Sequence, residues 1–190
     1  TNRSGIFVTT NASAATPSWT RRRSGLQSLL FSDIVFSPTY ATDGTFFLAD
    51  KGSGVFKTTD RGSTFSRLAS GLTLGGTLSG ARALAVSPTY DESAASATCA
   101  SATPSDKAKC TLFFADDTGM YRSTDKGENW SAIATGLAVD EKGIATIAVS
   151  PNFASDQTVF IGSEENTPVK NGSVFKSVNA LGATPSWSTV

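Results

Sequence analysis

One stretch of this chain occurs four times in related forms, and that repetition constrains the fold more than any other feature. Residues 119–130 read Gly-Met-Tyr-Arg-Ser-Thr-Asp-Lys-Gly-Glu-Asn-Trp, and residues 54–65 read Gly-Val-Phe-Lys-Thr-Thr-Asp-Arg-Gly-Ser-Thr-Phe. Looser copies begin at Gly5 and Ser173. Each copy joins a short apolar run to a Ser/Thr-x-Asp/Asn turn and then to an aromatic residue. Such repetition predicts a stack of similar supersecondary units.

The period of the repeat follows from the hydroxyl residue that opens each turn. Thr9, Thr58, Ser123 and Ser177 are separated by 49, 65 and 54 residues. The interval of 65 contains 16 extra residues within an insertion at 91–110. The interval of 54 contains a longer link before its turn. The underlying period is therefore about 49 residues, within the range of repeats that build solenoids and propellers.

Four strand-like pieces align within each period. In the first, large apolar residues alternate with smaller ones before a Ser-Pro pair, at residues 34–38, 84–88 and 147–151. The second is a run of aromatic and β-branched residues, at 45–49, 111–115 and 158–162. Both pieces are apolar enough to predict strands that are buried on both faces. The Pro ends the first piece because it cannot donate to a sheet.

The third piece is the apolar run of each turn motif, and the fourth begins at its aromatic residue. In three copies a Gly-Leu pair follows that aromatic six residues later, with the glycines at 25, 71 and 136. No segment shows a sustained 3.6-residue apolar period with helix caps. Four short antiparallel strands per period predict an all-β fold of β-propeller blades. A β-sandwich is the alternative, but sandwiches do not usually repeat one turn at every fourth strand.

The strand order predicts one β-propeller segment over residues 1–190. We expect a partial blade at 1–25, blades at 26–71 and 72–136, and a last blade at 137–190, with the insertion 91–110 in the third of these. The first part begins at the third strand of its blade. Because one blade cannot bury its own apolar faces, we expect an incomplete propeller segment that belongs to a larger protein or array.

Each residue type of the turn has a physical role in the fold. Asp125 can accept hydrogen bonds from main-chain amides just downstream. Gly127 permits a positive φ angle. Trp130 can cover the turn with an apolar face, and the hydroxyl of Ser123 can bond across the hairpin. All these roles concern folding and not chemistry.

The motif resembles the Asp-box (BNR) repeat, S/T-x-D-x-G-x-T/S-W/F. One copy fits it in full with Thr58, Asp60, Gly62, Thr64 and Phe65, and another fits with Ser123, Asp125, Gly127 and Trp130. In the second copy Asn129 stands in place of Thr or Ser. Two further copies carry Asn in place of Asp and three extra residues before the aromatic: Asn11 with Trp19, and Asn179 with Trp187.

This resemblance implies a propeller of six to ten blades. Its members include sialidases, xyloglucan-active glycoside hydrolases, sortilin-type receptors and photosystem II assembly factors. In such proteins the Asp-boxes are structural and lie away from the active face. The resemblance is therefore specific for the fold and says little about the function.

The two cysteines both lie in the polar insertion. A disulfide between Cys99 and Cys110 is the preferred interpretation, and it implies an extracytoplasmic setting: secreted, periplasmic or on the cell surface. The alternative is two unrelated, exposed thiols. We expect no metal site, because the chain contains no His and no second Cys pair. We also expect no cofactor, since no phosphate loop is visible.

The composition limits the classes of partner. Lys and Arg together number 16, Asp and Glu also number 16, and the net charge is zero. We therefore expect no nucleic-acid partner, and no apolar run is long enough to span a membrane. The expected partners are a protein or a carbohydrate at a propeller face, and further blades of the same protein or neighbouring subunits.

A few polar residues are candidates for a binding face. Arg82 lies in a first strand, which lines a propeller channel. A sialidase site needs three convergent arginines, and Arg82 is alone. Glu164 and Glu165, in an enlarged loop between strands two and three, are expected on the same face as Asp140 and Glu141. Arg21, Arg22, Arg23 and Arg67 are expected on outer strands, facing solvent or an anionic partner. Asp50 and Asp116 end matching strands and are expected to form turns.

No catalytic residue can be assigned from this pattern. We expect a non-enzymatic interaction or scaffold module of a larger secreted or cell-surface protein. The alternative is a fragment of a glycoside hydrolase, sialidase- or xyloglucanase-like, with its catalytic residues largely outside this segment. A glycosidase needs two carboxylates about 5–10 Å apart across a cleft. An assembly chaperone like the photosystem relatives is a third possibility by family analogy alone.

The insertion 91–110 is either a docking element or a neutral surface excursion.

Overall fold

The computed structural model describes residues 5–73, 83–116, 119–133, 137, 144–163 and 172–190. Within those residues the strands form three four-stranded sheets and one two-stranded sheet, each an antiparallel meander in chain order. The two-stranded sheet contains β1 (Ile6–Val8) and β2 (Thr20–Arg22). The first four-stranded sheet contains β3 (Phe31–Phe36), β4 (Phe46–Asp50), β5 (Gly54–Thr58) and β6 (Ser66–Leu68).

The two later sheets repeat the same arrangement. One contains β7 (Ala83–Val86), β8 (Leu112–Asp116), β9 (Gly119–Ser123) and β10 (Ser131–Ala132). The other contains β11 (Ile144–Val149), β12 (Val159–Ser163), β13 (Val174–Ser177) and β14 (Ser188–Thr189). The predicted all-β fold of four-stranded antiparallel blades is confirmed.

The sheets stack face to face through their first strands. β7 contacts both β3 and β11. One apolar cluster joins Phe47 of β4 to Leu84 of β7, and another joins Phe113 of β8 to Ile161 of β12. Each cluster lies between neighbouring sheets. The core is therefore built between blades, as expected for units that cannot bury their apolar faces alone.

The predicted burial on both faces is confirmed for β4, β7 and β8 and wrong for β3 and β11. β4 and β8 are buried along their whole length, and β7 is nearly so. In β3 and β11, by contrast, buried or half-buried residues alternate with more exposed ones. The reason is that β7 has a four-stranded sheet on each side, whereas β3 and β11 each have one on a single side only.

Helical structure is limited to short segments in the described residues. α1 (Tyr40–Asp43) and α4 (Phe153–Asp156) occupy the turns after the Ser-Pro pairs. Ser37 Oγ donates to Asp43 Oδ2 at 2.6 Å, and this bond helps to close the first of these turns. The insertion contains α2 (Ser96–Cys99) and α3 (Pro104–Ala108). In the part of the chain that the structure describes, no helix has the length and apolarity needed to cross a membrane.

Main-chain hydrogen bonds join successive sheets at the fourth strand. The amide of Phe65 donates to the carbonyl of Ser24, and the amide of Trp130 donates to the carbonyl of Ser70, both at 2.9 Å. Each acceptor directly precedes a glycine of the Gly-Leu pairs. The glycine after each aromatic therefore marks the place where the link between blades runs against the next blade.

Candidate functional site at the repeated turns and the insertion

The first complete turn, residues 58–65, is closed by hydrogen bonds around one carboxylate. Thr58 Oγ1 donates to Asp60 Oδ1 at 2.7 Å and accepts from the Gly62 amide at 3.0 Å. The Thr64 amide donates to Asp60 Oδ1 at 2.9 Å, and the Thr64 hydroxyl donates to Oδ2 at 2.6 Å. The side chains of the motif therefore bond to one another, and the turn is a self-contained structural unit.

The second complete turn, residues 123–130, has the same network with one changed partner. Ser123 Oγ donates to Asp125 Oδ1 at 2.6 Å and accepts from the Gly127 amide at 2.8 Å. Asn129 replaces the threonine, and its Nδ2 donates to Asp125 Oδ2 at 2.9 Å. The amide of asparagine thus supplies the donor that the hydroxyl supplies in the first turn. The expected bond from Ser123 across the hairpin is wrong, because its hydroxyl bonds within the turn.

The two divergent turns keep part of this network with asparagine at the centre. Asn11 Oδ1 accepts from the Thr9 hydroxyl at 2.8 Å and from the Ser18 amide at 3.0 Å. Asn179 Oδ1 accepts from the Ser186 amide at 2.8 Å. The three extra residues therefore lengthen the turn, and the side-chain oxygen still binds the amide just before the aromatic residue.

The backbone of the complete turns is left-handed at two successive residues. Gly62 and Gly127 have φ angles of 83° and 92°, and the preceding Arg61 and Lys126 have φ angles of 58° and 64°. The sequence predicted the positive φ angle of the glycine but not that of the residue before it. Trp130 is 4% exposed and lies beside Gly127, so it covers the turn as expected.

Hydrogen bonds lower the pKa of two turn carboxylates, Asp60 and Asp156. Burial acts to raise the pKa of Asp60, but the bonds from Thr64 and Thr58 outweigh it and lower that pKa to about 2. In the turn at α4, the hydroxyl of Ser150 lowers the pKa of Asp156. A carboxylate held in this way acts as a hydrogen-bond acceptor, whereas a general acid of a glycosidase needs a raised pKa.

The insertion 91–110 lies against the second turn and is held there by a covalent bond. Cys99 and Cys110 form a disulfide, as expected from the sequence. The Lys126 amide donates to the Cys110 carbonyl at 2.9 Å, and Lys126 Nζ donates to the carbonyls of Glu92 and Ala94 at 2.5 and 2.6 Å. The left-handed residue of the turn is therefore the anchor of the insertion.

An open cleft of about 340 Å³ separates α2 from the second turn. Its wall combines hydroxyl, carboxylate and amine groups with one side of the disulfide. The lining residues are Ser96, Cys99, Ala100, Thr124, Asp125, Lys126 and Glu128. The sequence did not predict a cleft between the insertion and the second turn.

Side chains at the start of the insertion also connect two neighbouring blades. Lys57 Nζ of β5 lies 2.6 Å from Glu92 Oε1. The phenol of Tyr90 donates to Glu92 Oε2, and its ring meets Phe47 edge to face with centroids 5.5 Å apart. Burial, with the Glu92 contact, raises the pKa of that phenol. Sequence reasoning missed this connection because its members come from two repeats.

A second polar connection joins the next pair of blades. Arg122 Nη1 of β9 donates to the carbonyls of Ala180 and Gly182 at 2.6 and 2.8 Å. Burial lowers the pKa of that guanidinium. Lys57 and Arg122 occupy the same position of the repeat, just before the hydroxyl residue of the turn. A cation at this position therefore reaches into the following blade.

The structure describes only some of the sequence-predicted binding residues. Arg82, Asp140, Glu141, Glu164 and Glu165 lie outside the described residues. In the described part of the chain, no three His, Cys, Asp or Glu side chains form a group that could hold a metal ion.

The remaining polar candidates lie on strands or at strand ends. Three arginines lie on fourth strands. Arg21, paired with Phe7, and Arg67, paired with Phe56, are exposed, whereas Arg22, paired with Ile6, is half-buried. Asp50 accepts from the amides of Leu30 and Gly52 at 2.9 and 3.1 Å, which is a turn-forming role.

Comparisons with known proteins identify the fold. No protein-family model and no curated protein matches the sequence. The structure is similar to an ancestral GH74 enzyme, with a TM-score of 0.57, 19% identity and coverage of 84% of this chain and 18% of the other.

Two further GH74 structures are similar. The GH74 xyloglucanase from Xanthomonas campestris has a TM-score of 0.56 and 20% identity over 91% of this chain and 26% of its own. The GH74 enzyme of Niastella koreensis has a TM-score of 0.53 and 16% identity over 100% of this chain and 34% of its own. This chain thus spans between 18% and 34% of the length of these three relatives. At such identities the likeness shows a shared β-propeller fold.

Proposed function

We propose that this chain is an extracytoplasmic β-propeller interaction module that binds a hydroxyl-rich ligand, a polysaccharide, in the cleft between α2 and the second turn. The repeated turns are Asp-boxes with a structural role. The observation that carries the proposal is the cleft of about 340 Å³, a size typical of ligand sites, with polar groups on both walls.

The chemistry of the cleft suits a sugar. Ser96 and Thr124 present hydroxyls and Glu128 presents a carboxylate, and such groups fix a polyhydroxylated ligand by hydrogen bonds. The chain carries no net charge, so a neutral ligand fits it better than a polyanion.

The walls of the cleft are held in place before any ligand arrives. The disulfide between Cys99 and Cys110 fixes the insertion, and Lys126 ties the insertion to the second turn. A site that is already ordered loses less conformational entropy on binding. The disulfide also supports the extracytoplasmic setting, because such bonds persist in oxidising compartments.

The neighbouring blade provides a matched replacement for the insertion. Residues 37–40 and 87–90 both read Ser-Pro-Thr-Tyr, and Ala-Thr-Asp-Gly follows the first of them before the next strand. Replacing residues 91–110 with Ala-Thr-Asp-Gly therefore removes the cleft and preserves a turn that this fold already contains.

Affinity electrophoresis in gels that contain xyloglucan tests the proposal. We expect xyloglucan to slow the chain relative to its own migration in a gel without polysaccharide. We expect this retardation to be smaller for the replacement variant and for Glu128→Gln. Ser105→Ala, at an exposed position that does not line the cleft, is the control and should migrate like the unmodified chain. A retardation by xyloglucan that is zero, or that is equal for all four proteins, would contradict the proposal.

A glycoside hydrolase fragment is the second candidate. It is favoured by one observation, namely that the three similar structures are GH74 enzymes. Incubation with xyloglucan followed by a reducing-end assay separates the two candidates. Retention without new reducing ends supports the module, whereas release of reducing ends that is lost in Glu164→Gln or Asp140→Asn supports the hydrolase.

A further inference from the structure

Among the described residues the first blade contributes two strands, whereas each of the three later sheets contains four. β1 and β2 correspond to strands three and four of a blade, because the turn at Asn11 between them matches the turns at Asp60 and Asp125. In the four-stranded sheets, two further strands precede these positions. In each of the three four-stranded sheets, a second strand pairs with the edge that corresponds to the inner edge of β1.

Exposed apolar side chains line this position. The groove between β1 and β3 has a volume of about 300 Å³. Four large side chains in it are about half exposed: Phe7 at 51%, Trp19 at 59%, Ile34 at 46% and Phe36 at 51%. A contiguous apolar patch of this kind is typical of an interaction surface.

Equivalent positions in other blades show what normally covers such residues. Phe56 matches Phe7 and is fully buried, in a cluster with Phe46 and Leu48 of β4. Leu84 matches Ile34 and is 3% exposed, in a cluster with Phe47 of the preceding blade. In both cases β4, a second strand, supplies part of the cover.

The aromatic residue of the Ser-Pro turn gives the sharpest comparison. Tyr90 meets Phe47 of the preceding blade edge to face at 5.5 Å, and Phe153 meets Phe113 in the same way at 5.6 Å. Tyr40 occupies the same position, and it lines the groove beside Phe36. The repeat thus requires a Phe from a second strand above Tyr40.

We propose that this groove is the docking site of a two-stranded β-hairpin of the strand-one and strand-two type. Its second strand pairs antiparallel with the inner edge of β1, as β4 pairs with β5. A Phe at the position of Phe47 contacts Tyr40, and the first strand covers Ile34 and Phe36. Main-chain pairing gives affinity and the apolar contacts give specificity.

The chain itself supplies the probe for this proposal. A synthetic peptide of residues 31–53 contains β3, α1 and β4 in order. Titrated into the intact chain, it should bind saturably, shift the emission of the exposed Trp19 to shorter wavelength and protect the amides of Ile6–Val8 from hydrogen exchange. The Trp19→Phe variant identifies the source of the emission change.

A matched control peptide carries Phe47→Ser. We expect its affinity to be lower by roughly tenfold or more than that of the unmodified peptide, because it loses the aromatic anchor. A second experiment does not depend on the solubility of a peptide. In a fusion protein, a copy of residues 31–53 replaces residues 1–4 and is followed directly by Gly5, because Gly5 aligns with Gly54. The fusion should melt at a higher temperature than the chain, and the fusion with Phe47→Ser in the copy should not.

Two results would overturn the proposal. One is the absence of saturable binding together with unchanged exchange of the Ile6–Val8 amides in the fusion. The other is a concentration-dependent dimer of the chain alone, seen by analytical ultracentrifugation and abolished by Phe36→Ser, which would assign the groove to a second copy.

Discussion

A methyl group on Gly71 would lie 2.2 Å from the carbonyl oxygen of Trp130 in the next blade. Gly25 stands in the same relation to Phe65, at 1.9 Å. Both glycines have positive φ angles, 82° and 85°. The link between blades therefore runs directly against the main chain of the following blade, and only glycine satisfies both the contact and the backbone conformation.

Gly71→Ala should destabilise the chain strongly. The added methyl overlaps main chain that cannot rotate away, and the left-handed conformation adds strain, so we expect a loss of about 2–4 kcal/mol in the free energy of unfolding. Gly52→Ala is the control, because the nearest atom to its added methyl is Asp50 Oδ1 at 4.0 Å. Urea unfolding followed by circular dichroism measures both, and similar midpoints for the two variants would contradict the prediction.

Lys57 and Glu92 should couple two blades energetically. Both side chains are largely shielded, with 14% and 22% of their surface exposed. Removing either partner leaves a partly buried charge, so Lys57→Met and Glu92→Gln should each cost about 1–3 kcal/mol of stability. The double variant should lose less than the sum of the two single losses. Additive losses in this double-mutant cycle would show that the ion pair makes no net contribution.

Asp60 should make the first turn sensitive to acid. Its folded-state pKa of about 2 lies below the ordinary value of 3.8. The stabilisation is therefore fully present above about pH 5 and is lost as the pH falls through 3.8 towards 2. Asp60→Asn should lower the melting temperature at pH 6, and the difference from the unmodified chain should shrink as the pH falls from 5 to 2. A difference that stays constant over this range would contradict the assignment.

Reduction of the disulfide should loosen the insertion more than the sheets. Cys99 and Cys110 are 11 residues apart, so the cross-link is worth roughly 3 kcal/mol in the chain-entropy model. Cys99→Ser with Cys110→Ser should increase proteolytic cleavage within 91–110 while the strand signal in circular dichroism is retained. Dithiothreitol should reproduce this effect in the unmodified chain and have no effect on the double variant.

The repeat in the sequence determined the number and type of the strands. Alternating apolar residues, turn residues and prolines act over a few positions along the chain, so the strands of each blade could be located within a few residues. The turn at Asp60 was also predictable, because all its hydrogen-bonding groups lie between Thr58 and Thr64. The left-handed conformation of Arg61 and Lys126 was not, since no residue type there demands it.

Only the tertiary structure decided what happens between blades. Lys57 meets Glu92 and Arg122 meets the carbonyl of Ala180 across distances of 35 and 58 residues in the sequence. The periodicity of each strand carries no information about these partners. For the same reason the sequence predicted equal burial for β3 and β7, whose apolar patterns are alike. Burial depends on whether a neighbouring sheet covers each face, and that is a property of the stack.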